Sequence, residues 1–146
     1  MSQRQKVIAV CLGAVLASLL LVGVVSATLV RHLIQVLPIV LALVAVARPS
    51  DLGPYAASSI FALWLLLMIL IWLYLMGVQT FFTGTFSSAE VVLTVVIALS
   101  SVLGLVACTG RKSTVGAAGR AATVVTFAAL QVGAMWVSFL TPFANR

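Results

Sequence analysis

Titratable side chains are scarce in this chain of 146 residues, which has two carboxylates, one histidine and two cysteines. General acid–base catalysis needs titratable groups that converge, and a protein zinc site needs three or four His, Cys or carboxylate ligands. No short segment of the sequence groups Asp51, Glu90 and His32. Cys11 and Cys108 lie in separate apolar runs without a CxxC pattern. We therefore expect no enzyme activity, no metal, no cofactor and no disulfide framework.

Charge of either sign is also rare, since charged residues make up 7% of the chain. A soluble domain carries about a quarter. Hydrophobic residues make up 64%, and the mean hydropathy is +1.31. These values exclude an ordinary soluble globule and indicate that the chain is embedded in a membrane.

Long apolar runs fill almost the whole sequence. Each is close to the roughly 20 residues that an α-helix needs to cross the hydrocarbon core. The predicted fold is therefore all-α, a polytopic transmembrane helical bundle that forms one integral membrane domain over residues 1–146. The predicted spans are residues 7–25, 29–47, 58–80, 90–108 and 121–140.

Two of these spans have alternatives. The basic start of the first run and the small residues of Val25-Ser26-Ala27 resemble a signal peptide and its cleavage site. The apolar part is longer than a usual signal core, which favours an uncleaved helix. The second run contains Pro38, for which we expect a kink, but the run is short enough to be re-entrant. Either alternative leaves four spans.

Basic residues set the expected orientation, because Lys and Arg concentrate in cytoplasmic loops. A cytoplasmic N-terminus leaves only Arg31 and Arg146 on the outer side. The net charge of +6 would suggest nucleic acid in a soluble protein, but at helix ends it indicates anionic lipid headgroups. The basic residues predicted on the cytoplasmic side are Arg4, Lys6, Arg48, Arg111, Lys112 and Arg120.

The third run holds a regular aromatic and methionine pattern. Trp64, Met68, Trp72 and Met76 recur every four residues, which predicts one stripe along a helix. We expect this stripe to contact a protein partner or lipid. A pigment or quinone is the alternative ligand.

Two glutamines are the notable polar residues within spans. An unpaired amide in hydrocarbon costs several kcal/mol, roughly, so Gln35 and Gln131 are expected to hydrogen-bond across helices. Lining a substrate path is the alternative. Small residues spaced by four predict close helix packing at Ser100, Gly104 and Cys108, and at Ala129 and Gly133.

The fourth run starts with the S-x-x-E pattern of a capping box, formed by Ser87 and Glu90. This interpretation is favoured over a proton relay between Glu90 and His32. The Gly110–Thr114 segment lacks the full phosphate-loop spacing, so we reject nucleotide binding.

The sequence is thus that of a non-catalytic integral membrane protein. We expect an accessory or scaffold subunit that packs against a larger membrane complex. The alternative is a small membrane transporter or channel, alone or as an oligomer. The expected partners are membrane lipids and other membrane subunits or further copies of the chain, with no nucleic acid. The Ala, Val and Leu content with Arg over Lys suggests a bacterial cytoplasmic (inner) membrane.

Overall fold

The computed structural model describes residues 1–80, 85–109 and 114–140. Within them the fold is all-helical and contains no β-strand. The helices are α1 (Gln3–Val25), α2 (Leu29–Ala47), α3 (Gly53–Leu75), α4 (Ser88–Cys108) and α5 (Ala117–Ser138). All five are long and apolar enough to cross a bilayer, so the chain fits a multi-pass membrane protein.

The third helix begins and ends earlier than the sequence predicts. It starts at Gly53 rather than residue 58, because Pro54 sits in the first turn, where its missing N–H removes no helical bond. It ends at Leu75 rather than residue 80, because Gly77 adopts a φ of 74°. The Val78 N–H then donates to the Leu73 carbonyl at 2.9 Å, which closes the helix as a Schellman motif.

The turn between α1 and α2 is built in the same way without a glycine. Ala27 has a φ of 54°, in the left-handed region that disfavours a side chain. The Thr28 N–H donates to the Gly23 carbonyl at 2.8 Å, and the Ala27 N–H to the Val24 carbonyl at 3.2 Å. This closed turn lets α2 return directly along α1.

Helix α3 is the centre of the bundle, since it contacts each of the other four helices. Helix α4 packs on α1 and α3, whereas α5 packs on α2 and α3. The core comes from the first four helices. Its side chains with no exposed surface are Ile8, Leu12, Val15, Ile39, Ala42, Val46, Ala56, Ala57, Ile60 and Phe61.

A close approach between α3 and α4 depends on Gly104. A methyl group placed on Gly104 would collide with the aromatic ring of Phe61, which is fully buried. The four-residue pattern around Gly104 is less regular than the sequence suggests, because the fully buried serine of this face is Ser101 rather than Ser100.

The helices alternate in direction, so the bundle has two distinct ends. The His32 end holds the α1–α2 turn, the start of α4 and the end of α5. The Arg48 end holds the start of α1, the α2–α3 loop and the start of α5. These two names are used below.

Replacing Ala27 by glycine is expected to raise the free energy of unfolding by about 1 kcal/mol, because glycine adopts positive φ without steric cost. The matched control is Ala17→Gly, at an exposed position inside α1. There glycine should lower stability by about 0.5–1 kcal/mol. Unfolding of both purified variants in one detergent checks this, and two destabilised variants would contradict it.

Replacing Gly104 by alanine is expected to lower the free energy of unfolding by about 1–3 kcal/mol, through overpacking against Phe61. Gly133→Ala is the control, because no atom lies within 4 Å of the added methyl there. It should be neutral or slightly stabilising, since alanine favours helix. Equal effects at the two positions would show that α4 is not held by this contact.

Candidate functional site

A cavity of about 260 Å³ opens at the His32 end, and all five helices contribute to its wall. Its rim carries the polar groups and its floor is largely apolar. The rim includes Ser26, Thr28, Arg31, His32, Glu90 and Phe139, and the deeper wall includes Gln35, Trp64, Leu67, Met68, Ile71, Thr94 and Ile97.

Arg31 is the fixed cation of this cavity. Its guanidinium carbon lies 3.7 Å from the centre of the Phe139 ring, so the end of α5 holds the charge in place by a cation–π contact. The Nε atom of Arg31 is buried and has no hydrogen-bond partner. No carboxylate in the described ranges forms an ion pair with the Arg31 side chain, although Glu90 lies in the same cavity wall.

His32 belongs to a chain of hydrogen bonds that runs to the end of α1. The Ser26 hydroxyl donates to the Val22 carbonyl at 2.7 Å, so the Thr28 hydroxyl donates to Ser26 at 2.6 Å. The Nδ1 atom of His32 therefore carries the hydrogen, which it directs to the Thr28 hydroxyl at 3.2 Å and the Thr28 carbonyl at 3.0 Å. In the neutral ring, Nε2 is then the acceptor. His32 cannot serve as a base toward Thr28 in this arrangement.

Glu90 is committed to the start of α4. Its carboxylate accepts the Ser87 N–H and the Ser87 hydroxyl, both at 2.7 Å, and the Glu90 N–H donates to the Ser87 hydroxyl at 3.3 Å. This is a capping box, which satisfies free amides at the helix start. Glu90 and His32 share the cavity wall, but no hydrogen bond or ion pair joins them.

The predicted aromatic stripe divides between the interior and the surface. Trp64 and Met68 are 4% and 3% exposed and form part of the cavity floor. The Nε1 atom of Trp64 is buried without a hydrogen-bond partner. Trp72 and Met76 are 36% and 64% exposed. The outer pair faces the surroundings of the bundle, whereas the inner pair lies within it, so the four side chains do not form one continuous exposed stripe.

Gln35 and Gln131 are brought together and join α2 to α5. The side-chain amide of Gln131 donates to the backbone carbonyl of Gln35 at 3.1 Å, and the side-chain amide of Gln35 donates to the Ser138 hydroxyl at 2.9 Å. Gln35 neighbours Ile34, whose carbonyl loses its usual donor because Pro38 has no N–H. Helix α2 continues through Pro38 with this polar seam beside it.

The predicted cytoplasmic basic residues fall at the Arg48 end as far as they are described. Arg48 lines a second cavity, of about 340 Å³, between α2, α3 and α5. The Arg120 guanidinium lies 5.9 Å from the centre of the Tyr55 ring. Asp51 accepts a hydrogen bond from the Thr114 hydroxyl at 2.8 Å, which connects the α2–α3 loop to the residues just before α5. Arg111 and Lys112 lie outside the described residues.

Two features of the structure were not predicted from the sequence. Ser2 and Gln5 form a capping box at the start of α1, and its S-x-x-Q pattern could have revealed it. The cavity itself could not be foreseen, because its wall takes residues from five helices whose neighbours no local pattern specifies. In the described part of the chain, no three His, Cys, Asp or Glu residues group as a metal site.

Replacing Ser138 by alanine is expected to lower the free energy of unfolding by about 1 kcal/mol, because it leaves the buried Gln35 amide without its acceptor. Adding Gln35→Leu to the same chain removes the orphaned amide. The double variant should therefore be more stable than Ser138→Ala alone. Unfolding of the three variants measures this, and strictly additive losses would show that the two side chains do not interact.

Comparison of the chain with models of protein families, with curated proteins and with solved structures gives no match. The features that bear on function are thus those of the chain itself. They are a cavity with a fixed cation at the His32 end, a polar seam between α2 and α5, and an α5 helix whose other faces are uncovered.

Proposed function

We propose that the chain is a non-catalytic integral membrane subunit that packs against another membrane protein through α5. The observation that carries this proposal is that the described part of the chain covers little of α5. Its only buried residues are Gln131 and Ser138, and both belong to the polar seam with α2. Helices α1 to α4 instead contribute apolar residues to the core.

The uncovered side of α5 suits contact with another helix. Ala129 and Gly133 lie exposed with the four-residue spacing of a close-packing face. A methyl group placed on Gly133 would meet nothing within 4 Å, so none of the described residues uses the space that the glycine leaves. Trp136, on the same helix, is 74% exposed. Lipid covers such a face in a lone monomer, and a partner helix covers it in a complex.

The structural roles of the polar side chains support the non-catalytic part of the proposal. Glu90 caps α4, His32 directs its Nδ1 hydrogen to Thr28, and Asp51 accepts from Thr114. Each has a local structural role, and none forms a nucleophile–base pair.

For orientation, we take the Arg48 end as cytoplasmic and the membrane as a bacterial inner membrane. Arg4, Lys6, Arg48 and Arg120 all belong to helix ends on that side. The His32 end has Arg31 as its basic residue in the described ranges, and this charge is held on Phe139. The difference between the ends supports the orientation through the positive-inside rule.

A transporter is the second candidate, and one observation favours it. A cavity lies at each end of the bundle, with an apolar layer that includes Ile39, Ile60 and Phe61 between them. Alternating access needs such a barrier between two openings. Under this alternative, replacing both Gln35 and Gln131 by leucine should abolish proton or cation flux into proteoliposomes that the wild-type chain supports.

The subunit proposal is tested by the intact mass of the species extracted in mild detergent. A defined complex with another membrane protein is expected for the wild type. Gly133→Leu should release the chain from that complex, because the new side chain fills the exposed α5 face. Gly13→Leu is the matched control on α1, where an added methyl also meets nothing within 4 Å, and it should leave the complex intact. A wild-type chain that runs alone, or a complex that survives Gly133→Leu, would contradict the proposal.

A further inference from the structure

We propose that the cavity at the His32 end binds an amphiphile that carries an anionic headgroup, a carboxylate or a phosphate, on an apolar tail. This inference does not depend on the proposed subunit role, because it concerns the interior of the bundle rather than the face of α5.

Two buried donors in the cavity wall lack acceptors. The Nε1 atom of Trp64 and the Nε atom of Arg31 are both buried with no hydrogen-bond partner. Trp64 is 4% exposed, so its N–H is removed from solvent. An indole N–H and a guanidinium only donate, and a buried donor left unpaired costs about 1–3 kcal/mol. A headgroup oxygen at the rim would pair the Arg31 donor and recover its part of this free energy.

The unpaired guanidinium of Arg31 favours an anionic headgroup over a neutral or cationic one. Arg31 has no carboxylate partner in the part of the chain that the structure describes, and Phe139 fixes its position at the rim. The other charged group of the wall is Glu90, which would repel an anion. Its oxygen Oε2 already accepts both hydrogen bonds from Ser87, so this charge is stabilised at the positive end of α4. A planar guanidinium suits the paired oxygens of carboxylate and phosphate.

The deeper wall suits an apolar tail. Leu67, Met68, Ile71 and Ile97 line it, and Met68 and Ile97 are 3% and 1% exposed. Methionine adapts its shape to irregular apolar ligands. A charged rim above an apolar floor is the arrangement that an amphiphile requires, whereas a small hydrophilic anion would leave the floor uncovered.

The test uses Trp64 as a reporter in the full-length, delipidated protein in detergent. Trp72→Phe together with Trp136→Phe leaves Trp64 as the single tryptophan, and neither replaced residue lines the cavity. Three probes share a bromodecyl chain, whose bromine quenches indole fluorescence, and carry a carboxylate, a hydroxyl or a trimethylammonium headgroup. A matched chain that keeps only the exposed Trp136 reports how much of each probe enters the detergent.

After correction with the Trp136 chain, the carboxylate probe should half-quench Trp64 at a concentration on the order of tenfold lower than the other two, as a charge-assisted contact predicts. Arg31→Gln should remove this preference. Arg120→Gln removes a cation at the opposite end and should leave the preference unchanged. A bromodecyl phosphate probe separates the sources, since a stronger response to phosphate indicates a phospholipid headgroup and a stronger response to carboxylate indicates a free fatty acid.

Equal quenching by the three headgroups in the chain that keeps Arg31 would overturn the proposal, and this comparison needs no variant at the site. A headgroup preference that survives Arg31→Gln would also overturn it. Neither result bears on the mass of the extracted complex, so failure of this site and failure of the subunit role are distinguishable.

Discussion

Five helices that are apolar enough to cross a bilayer meet one physical constraint, because lipid surroundings are as apolar as the side chains of the helices. Burying a leucine gains little when the alternative surroundings are lipid tails, so helix association depends on close packing and on interhelical hydrogen bonds. Both devices are present in the described part of the chain. Gly104 lets α4 approach the ring of Phe61, and the Gln35–Gln131–Ser138 seam attaches α5 to α2.

These two devices divide the molecule into unequal parts. Helices α1 to α4 share an apolar core that surrounds α3, with Leu12, Ile39 and Phe61 fully buried. The two buried residues of α5 are both polar, and Phe127 is its partly buried apolar contact with the core, so directional contacts contribute much of what positions this helix. A helix attached in this way leaves most of its surface for other contacts. The proposed partner face therefore follows from how α5 is held, and not from its hydrophobicity, which all five helices share.

The sequence predicts where the helices lie, but it does not predict which side of each helix packs against the others. Apolar length alone located all five, since a span must be long and continuous, and residues 29–47 are the bounds of α2 in the structure. The stripe through Trp64 and Met76 shows the limit. Positions four apart advance by about 40° around a helix, so a stripe of twelve residues turns through about 120°. Trp64 therefore points into the bundle while Met76 lies outside, and regular spacing could not tell which part would be buried.

The polar residues at the His32 end illustrate the same limit for the site. The capping roles of Ser87 and Glu90 are local in sequence, so their pattern predicted them. That Arg31 would lie on Phe139 depends on a contact between the start of α2 and the end of α5, across more than a hundred residues of chain. No periodicity encodes such a pairing. Only the packing of α5 on α2 brings the two together.

That pairing also joins the two proposals at one point in the molecule. Ser138 closes the polar seam, and the adjacent Phe139 carries the Arg31 guanidinium above the cavity. A headgroup that draws Arg31 away from the ring changes the contacts that hold the end of α5, and a partner that shifts α5 changes the position of Arg31. Coupling between two binding events is reciprocal in free energy, so any effect of the amphiphile on the partner equals the effect of the partner on the amphiphile. Such coupling would pass through the end of α5 and the facing part of α2, because Phe139 and Gln35 both line the cavity and Gln35 and Ser138 both belong to the seam.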